Sequence, residues 1–164
     1  MAALKAGERF PSFTLKGIDS ASYSLTASGA GPTLLIFFKN SCPTCMLSFP
    51  YLQRLYERVE GAPLQFWGIS QDGAAETRVF GEQYSTTFPL IPDGPDYPVS
   101  NACGLTTVPT WFLVEPDAII SRVCVGFVQA DLEALAAEFR KRFRIPGVTP
   151  LFVSTDDAPI LRPG

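Results

Sequence analysis

Thr33-Leu-Leu-Ile-Phe-Phe38, followed at once by Lys39-Asn-Ser-Cys-Pro-Thr-Cys45, is the stretch that decides how this 164-residue chain reads. An unbroken run of large apolar residues without alternation is the pattern of a strand buried on both faces. Immediately after it, Cys42 and Cys45 open a segment whose apolar residues Phe49, Leu52, Leu55, Tyr56 and Val59 recur with helical spacing. A buried strand leading into two cysteines at a helix start is a redox arrangement. The first turn of a helix offers unpaired N–H groups and the positive end of its dipole, which stabilise negative charge on the first sulfur. The three-residue spacing lets the second sulfur reach back and close a small disulfide ring. In this setting the pair reads as a thiol–disulfide site.

Outward from that centre, Phe10 to Leu15 alternates like a short strand, and Ala21 to Leu25 returns beside it as a hairpin. Pro50 falls inside the first helix and predicts a bend there, because it removes one internal hydrogen bond. Gly61-Ala-Pro63 ends the helix, and Leu64 to Ile69 reads as a second buried strand. A helix over Ala74–Tyr84, a strand over Phe88–Ile91 and a helical turn near Val99–Cys103 follow. Trp111–Val114 and Ile119–Val125 form an antiparallel hairpin about the Glu115-Pro-Asp117 turn. A last helix starts near Asp131, with Leu132, Leu135, Phe139 and Phe143 on one face. This order predicts an α/β architecture with a central mixed sheet flanked by helices on both faces.

With 46% apolar residues the chain can bury one good core, so one domain is expected over residues 1–144. Residues 145–164 then form a proline-rich tail, extended or flexible, with Val148, Leu151, Phe152, Val153 and Ile160 among the prolines. The tail either frays or docks these apolar residues on the body. A net charge of −3 argues against nucleic acid as a partner. Arg140, Lys141, Arg142 and Arg144 cluster where the last helix ends, a place where cations complement the dipole. No run approaches the roughly 18 apolar residues of a membrane span. The first ten residues lack the basic-then-apolar pattern of a secretory signal, so a cytoplasmic, reducing setting is expected. Histidine is absent, which removes histidine general bases and histidine metal ligands together.

The pieces resemble the thioredoxin fold and, more narrowly, its redoxin branch of TlpA- and ResA-like thiol–disulfide oxidoreductases and AhpC/TSA-related peroxiredoxins. The resemblance spans about Ala6 to Arg144. It rests on Phe38 to Cys45, on Pro50, on Gly104-Leu-Thr-Thr-Val-Pro-Thr110 and on the Glu115-Pro-Asp117 hairpin. The N-terminal hairpin and the helix–strand insert at about Ala74–Ile91 match the redoxin branch rather than a minimal thioredoxin. The resemblance implies that Pro109 is cis and faces the two cysteines. It would keep an N–H away from the sulfurs, while Val108 offers backbone groups to an extended substrate. Two departures stand out. Thioredoxins carry a buried Asp six residues before the first cysteine, here Ile36. ResA-like proteins carry a Glu three residues after the second, here Ser48. Both family routes to a carboxylate that takes the Cys45 proton are missing, and slower turnover is expected. Thr44 also replaces the proline usual in that branch.

The expected chemistry is disulfide exchange with protein thiols and disulfides. Cys42 is the nucleophile and Cys45 the resolving thiol, and an external partner restores the dithiol. Pro43, Thr44, Val108 and Pro109 position the substrate, and Lys39 either assists as a nearby cation or simply reaches solvent. No cofactor is needed beyond a redox-active Cys42–Cys45 disulfide, and the chain is expected to be a monomer. Half of a zinc site is the competing reading of the cysteine pair. Zinc normally takes four ligands, and only Cys103 and Cys124 remain to complete them. Those two sit among apolar or small residues and are expected to be buried spectators, or else a second redox pair. A peroxidase is the alternative enzyme, since Cys42-Pro-Thr44 echoes a peroxidatic motif. That motif needs a Thr and a Pro where Lys39 and Leu35 stand. A thioredoxin-like binding module with incidental cysteines is the remaining alternative.

Overall fold

Strand β3, Thr33–Phe38, is the centre of the computed structural model, which describes residues 2–27, 29–147 and 150–164. All six of its residues are buried, and its side chains alternate between two core layers. Leu34, Ile36 and Phe38 enter one layer, Leu35 and Phe37 the other. Each such side chain contributes about 1.5–3 kcal/mol by leaving water. β3 pairs in parallel with β4 (Gln65–Ser70) and antiparallel with β6 (Thr110–Val114). β5 (Leu90–Pro92) extends the sheet beyond β4, and β7 (Ile120–Val125) beyond β6. The strand order is β5-β4-β3-β6-β7, a mixed five-stranded sheet.

Helices cover both faces. On the first, α1 (Pro43–Arg58), α2 (Ala74–Gln83) and α4 (Gln129–Arg142) bury Cys45, Phe49, Leu52, Phe80, Leu135 and Phe139. On the second, the short α3 (Pro98–Ala102) lies with the hairpin β1 (Phe13–Lys16) and β2 (Ser22–Leu25), and Phe10, Leu25 and Val99 fill that layer. The fold is thioredoxin-like, with the N-terminal hairpin and the α2–β5 insert. Phe49 packs between Phe38 (ring centroids 4.5 Å) and Phe80 (4.8 Å), which fixes α1 against the sheet. The helix runs through Pro50, whose ring is exposed and whose missing N–H costs one bond on the solvent side.

Several boundaries differ from the sequence expectation. α4 begins at Gln129 rather than near Asp131, because the two-residue strand β8 (Phe127–Val128) feeds directly into it. β5 begins two residues later than expected, since Phe88 turns into the core beside Tyr56 and Phe66. The tail, expected either to fray or to dock, is docked over residues 150–156. Leu151 and Phe152 are buried, and Phe152 stacks on Tyr51 of α1 with centroids 4.5 Å apart. Glu133 of α4 accepts the N–H groups of Leu151 (3.1 Å) and Phe152 (2.7 Å). Arg54 of α1 donates to the Leu151 carbonyl (2.8 Å) and grips Asp156 through two bonds of 2.9 and 3.0 Å. Asp156 closes a 3₁₀ turn over Ser154–Asp156, and β9 (Leu161–Arg162) then pairs antiparallel with β8. Val148, counted among the tail's apolar residues, lies outside the described residues.

Candidate active site

The carboxyl end of β3 delivers the chain to α1 through Lys39-Asn-Ser41, and the loop is tied at both ends. Asp72, just past β4, accepts the Asn40 N–H at 2.7 Å, and the Lys39 carbonyl accepts the Cys42 N–H at 3.1 Å. Cys42 is the N-cap of α1, with extended backbone angles (φ −88°, ψ 112°). Its sulfur accepts the N–H of Cys45 at 3.2 Å, the bond that a Ser or Asp side chain makes at ordinary helix starts. Pro43 follows at the first helical position, where its fixed φ suits the helix and its missing N–H costs nothing. No acidic residue occupies the first turn, so the dipole acts on the sulfur without a competing carboxylate.

Cys42 is half-buried and Cys45 fully buried behind it. Burial pushes the Cys45 thiol well above its usual range, and its hydrogen bond with Cys42 pushes it further. Opposite the sulfurs runs the loop into β6. The Val108–Pro109 peptide bond is cis, and the Val108 carbonyl accepts from the Cys42 thiol at 3.5 Å. Pro109 is buried and has no N–H to compete for that sulfur. The structure thus brings Cys42, Cys45, Pro43, Thr44 and Val108 together beyond the carboxyl end of the central strand β3. Lys39 is exposed on the approach to the loop.

Neither Ile36 nor Ser48 offers a carboxylate to Cys45. Ile36 is completely buried inside β3, and Ser48 donates its hydroxyl to the Thr44 carbonyl at 2.7 Å, closing on its own helix. Asp72 is an acidic group that the fold brings to this end of β3. Its charge adds, as the weakest contribution, to the upward push on Cys45. Its position, 27 residues beyond Cys45 at the end of a neighbouring strand, gives no sign in the local sequence pattern.

Thr44 is a further surprise. Its hydroxyl donates to the Pro163 carbonyl at 2.7 Å, so the tail reaches the dithiol turn. Cys103 and Cys124 are buried in the core, Cys124 in the same layer as Cys45 and Cys103 in the other. Burial raises the Cys103 thiol to about 11, and burial together with a hydrogen bond to Asp131 raises that of Cys124. Among the described residues, no group of three or more His, Cys, Asp or Glu side chains is arranged to hold a metal ion. A half-exposed capping sulfur, a buried thiol three residues on and a backbone carbonyl facing the first sulfur are parts that suit thiol–disulfide exchange.

Comparison with known proteins bears on the same residues. The profile of the AhpC/TSA family matches residues 6–123, which takes in the dithiol, Val108 and Pro109. A thiol-disulfide oxidoreductase ResA from Geobacillus thermodenitrificans is 25% identical over 125 residues, 76% of this chain and 71% of the relative. A chloroplastic peroxiredoxin Q from Triticum aestivum is 32% identical over 84 residues, 51% of this chain and 39% of the relative. Among solved structures, the thioredoxin domain of a thiol-disulfide oxidoreductase from Bacteroides vulgatus superposes with a TM-score of 0.74. It shares 21% identity, over 84% of this chain and 99% of that one.

Proposed function

The chain belongs to the AhpC/TSA family, and we propose that it works as a thioredoxin-like thiol–disulfide oxidoreductase acting on protein partners through Cys42 and Cys45. The observation that carries the reading is the Cys42 sulfur itself. It caps α1, accepts the Cys45 N–H and lies half-buried opposite the Val108 carbonyl. The name of the ResA relative supports the same class of reaction.

The exchange balances as follows. The Cys42 thiolate attacks one sulfur of a target disulfide. A Cys42–target bond forms, the target's own S–S bond breaks, and the departing sulfur leaves as a thiolate that takes up a proton. Cys45, once deprotonated, attacks the Cys42 sulfur and expels the second target thiol. Two electrons and two protons pass from the dithiol to the target, and the Cys42–Cys45 disulfide remains. An external dithiol reverses that change. Partners are therefore protein thiols and disulfides together with a reductant. Action as a monomer is part of the same proposal, and so is a cytoplasmic location.

A peroxidase is the second reading, and the peroxiredoxin Q relative is what favours it. Against it, the positions of the peroxidatic Thr and Pro hold exposed Lys39 and Leu35, the latter buried inside β3. No hydroxyl at position 39 is available to polarise a peroxide beside Cys42. The test is reduction of insulin disulfides by the purified protein with dithiothreitol as donor, set beside hydrogen peroxide consumption with the same donor. Insulin reduction that needs Cys42 is the expected result. Peroxide consumption without disulfide reduction would replace this reading by the second.

A further inference from the structure

Residues Ile160–Gly164 cross the surface beside the dithiol as an extended segment held almost wholly by its main chain. The Gln129 N–H donates to the Ile160 carbonyl at 3.0 Å. Leu161 and Arg162 pair with Val128 and Phe127. The Thr44 hydroxyl, between the two cysteines, donates to the Pro163 carbonyl. Two glycines mark how close the approach is. A side chain on Gly126 would strike the Arg162 carbonyl, and one on Gly164 would strike the Val108 carbonyl and the Thr107 hydroxyl. The Val108 carbonyl that Gly164 abuts is the one facing the Cys42 sulfur.

The two parts of the tail are held very differently. Residues 150–156 are pinned by buried Leu151 and Phe152, by Glu133 and by the Arg54–Asp156 pair. Beyond them, Ile160 and Leu161 leave 76% and 61% of their surfaces in water. A segment with so little apolar burial opens far more readily than the fold as a whole. Extended main chain laid on an exposed strand edge is also how proteins commonly bind the backbone of a peptide.

We propose that Ile160–Gly164 is an intramolecular occupant of the docking groove for an extended polypeptide substrate, formed by Thr44, Val108 and Gly126. The substrate's main chain displaces it to reach Cys42. The proposal rests on the oxidoreductase reading for the identity of the displacing partner, though not for the occupancy itself. Firm anchoring at 150–156 keeps the segment at high local concentration, while its weak hold lets a protein substrate compete. If the groove is open for roughly a tenth to a third of the time, apparent substrate affinity falls roughly three- to tenfold below its intrinsic value.

Two variants test this, neither touching the dithiol helix. One lacks residues 160–164 and retains the anchor. The other is the full chain with Gly164→Val, whose new side chain cannot fit against Val108. Both are expected to raise the rate of Cys42 alkylation by iodoacetamide roughly three- to tenfold, and to lower KM for a protein disulfide by a similar factor at unchanged kcat. A synthetic peptide of sequence Pro159–Gly164 is expected to inhibit the shortened variant competitively. Alkylation needs no substrate, so the two readings fail separately. Wild-type alkylation rates in both variants would overturn the occupancy, whatever the activity. Faster alkylation without disulfide reduction by any form would overturn the oxidoreductase reading and leave the occupancy standing.

Discussion

The start of α1 and the interior around Cys103 and Cys124 hold the same side chain in opposite circumstances. Cys42 stands at a helix cap, half-exposed, with a backbone N–H on its sulfur. Cys103 is fully buried in the second core layer, where its thiol donates to the Ser100 carbonyl at 3.5 Å. Cys124 is only 3% exposed and meets the Gly126 carbonyl at 3.9 Å. Cys45 shares the burial of the interior pair yet lies one helical turn from an accessible sulfur. Burial alone therefore does not separate a working thiol from a spectator. The difference is a neighbour that can be oxidised from outside.

The sharpest way to break this comparison is to remove the exposed sulfur. Cys42→Ser is expected to lower insulin reduction by on the order of a thousandfold or more, since nothing else supplies the attacking atom. Its stability should change little, because Ser is itself a favoured N-cap and its oxygen can take over the Cys45 N–H. A melting curve alongside the assay separates loss of chemistry from loss of fold.

A pH series sharpens the contrast between the two cysteines of the motif. The Cys45 thiol is held above its ordinary range by burial and by Cys42, so it is protonated throughout the neutral region. Only its ionised fraction attacks, and that fraction rises about tenfold per pH unit below the pKa. Resolution of an isolated mixed disulfide should therefore quicken about a hundredfold between pH 6 and pH 8, by rapid acid quench. A flat profile would mean that a group beside Cys45 takes its proton, and Asp72 is then the residue to change.

The smallest effects belong to the interior. Cys103→Ala and Cys124→Ala are expected to leave turnover within about twofold, while each costs roughly 1–2 kcal/mol in denaturant unfolding through lost packing. A large loss of activity at intact stability in either variant would erase the distinction between the two regions.

These contrasts also explain what could be read in the sequence. β3 was legible residue for residue, because six consecutive buried side chains admit few other structures. The helix start at Cys42 was legible from a spacing that is local in the chain. The tail was not. Its hold comes from partners far away in sequence, with Arg54 meeting Asp156 across 102 residues and Glu133 meeting Phe152 across 19. Against that, three-dimensional pairing outweighs a composition rich in proline. The signal for docking was the apolar run Leu151-Phe152-Val153 in a proline-rich stretch, and nothing local distinguished it from the exposed pair Ile160-Leu161. Nothing in the sequence marked the Thr44 hydroxyl as a partner of the Pro163 carbonyl, because that contact depends on where the pinned residues 150–156 aim the rest of the chain.

The division of labour between Cys42 and Cys45 is tested most directly by the intact mass of Cys45→Ser after incubation with a protein disulfide under non-reducing conditions. One covalent adduct per chain, mapped by peptide digestion to Cys42 and released by dithiothreitol, is the result predicted. An adduct mapped to Cys103 or Cys124, or none while wild-type protein still reduces the same substrate, would contradict it.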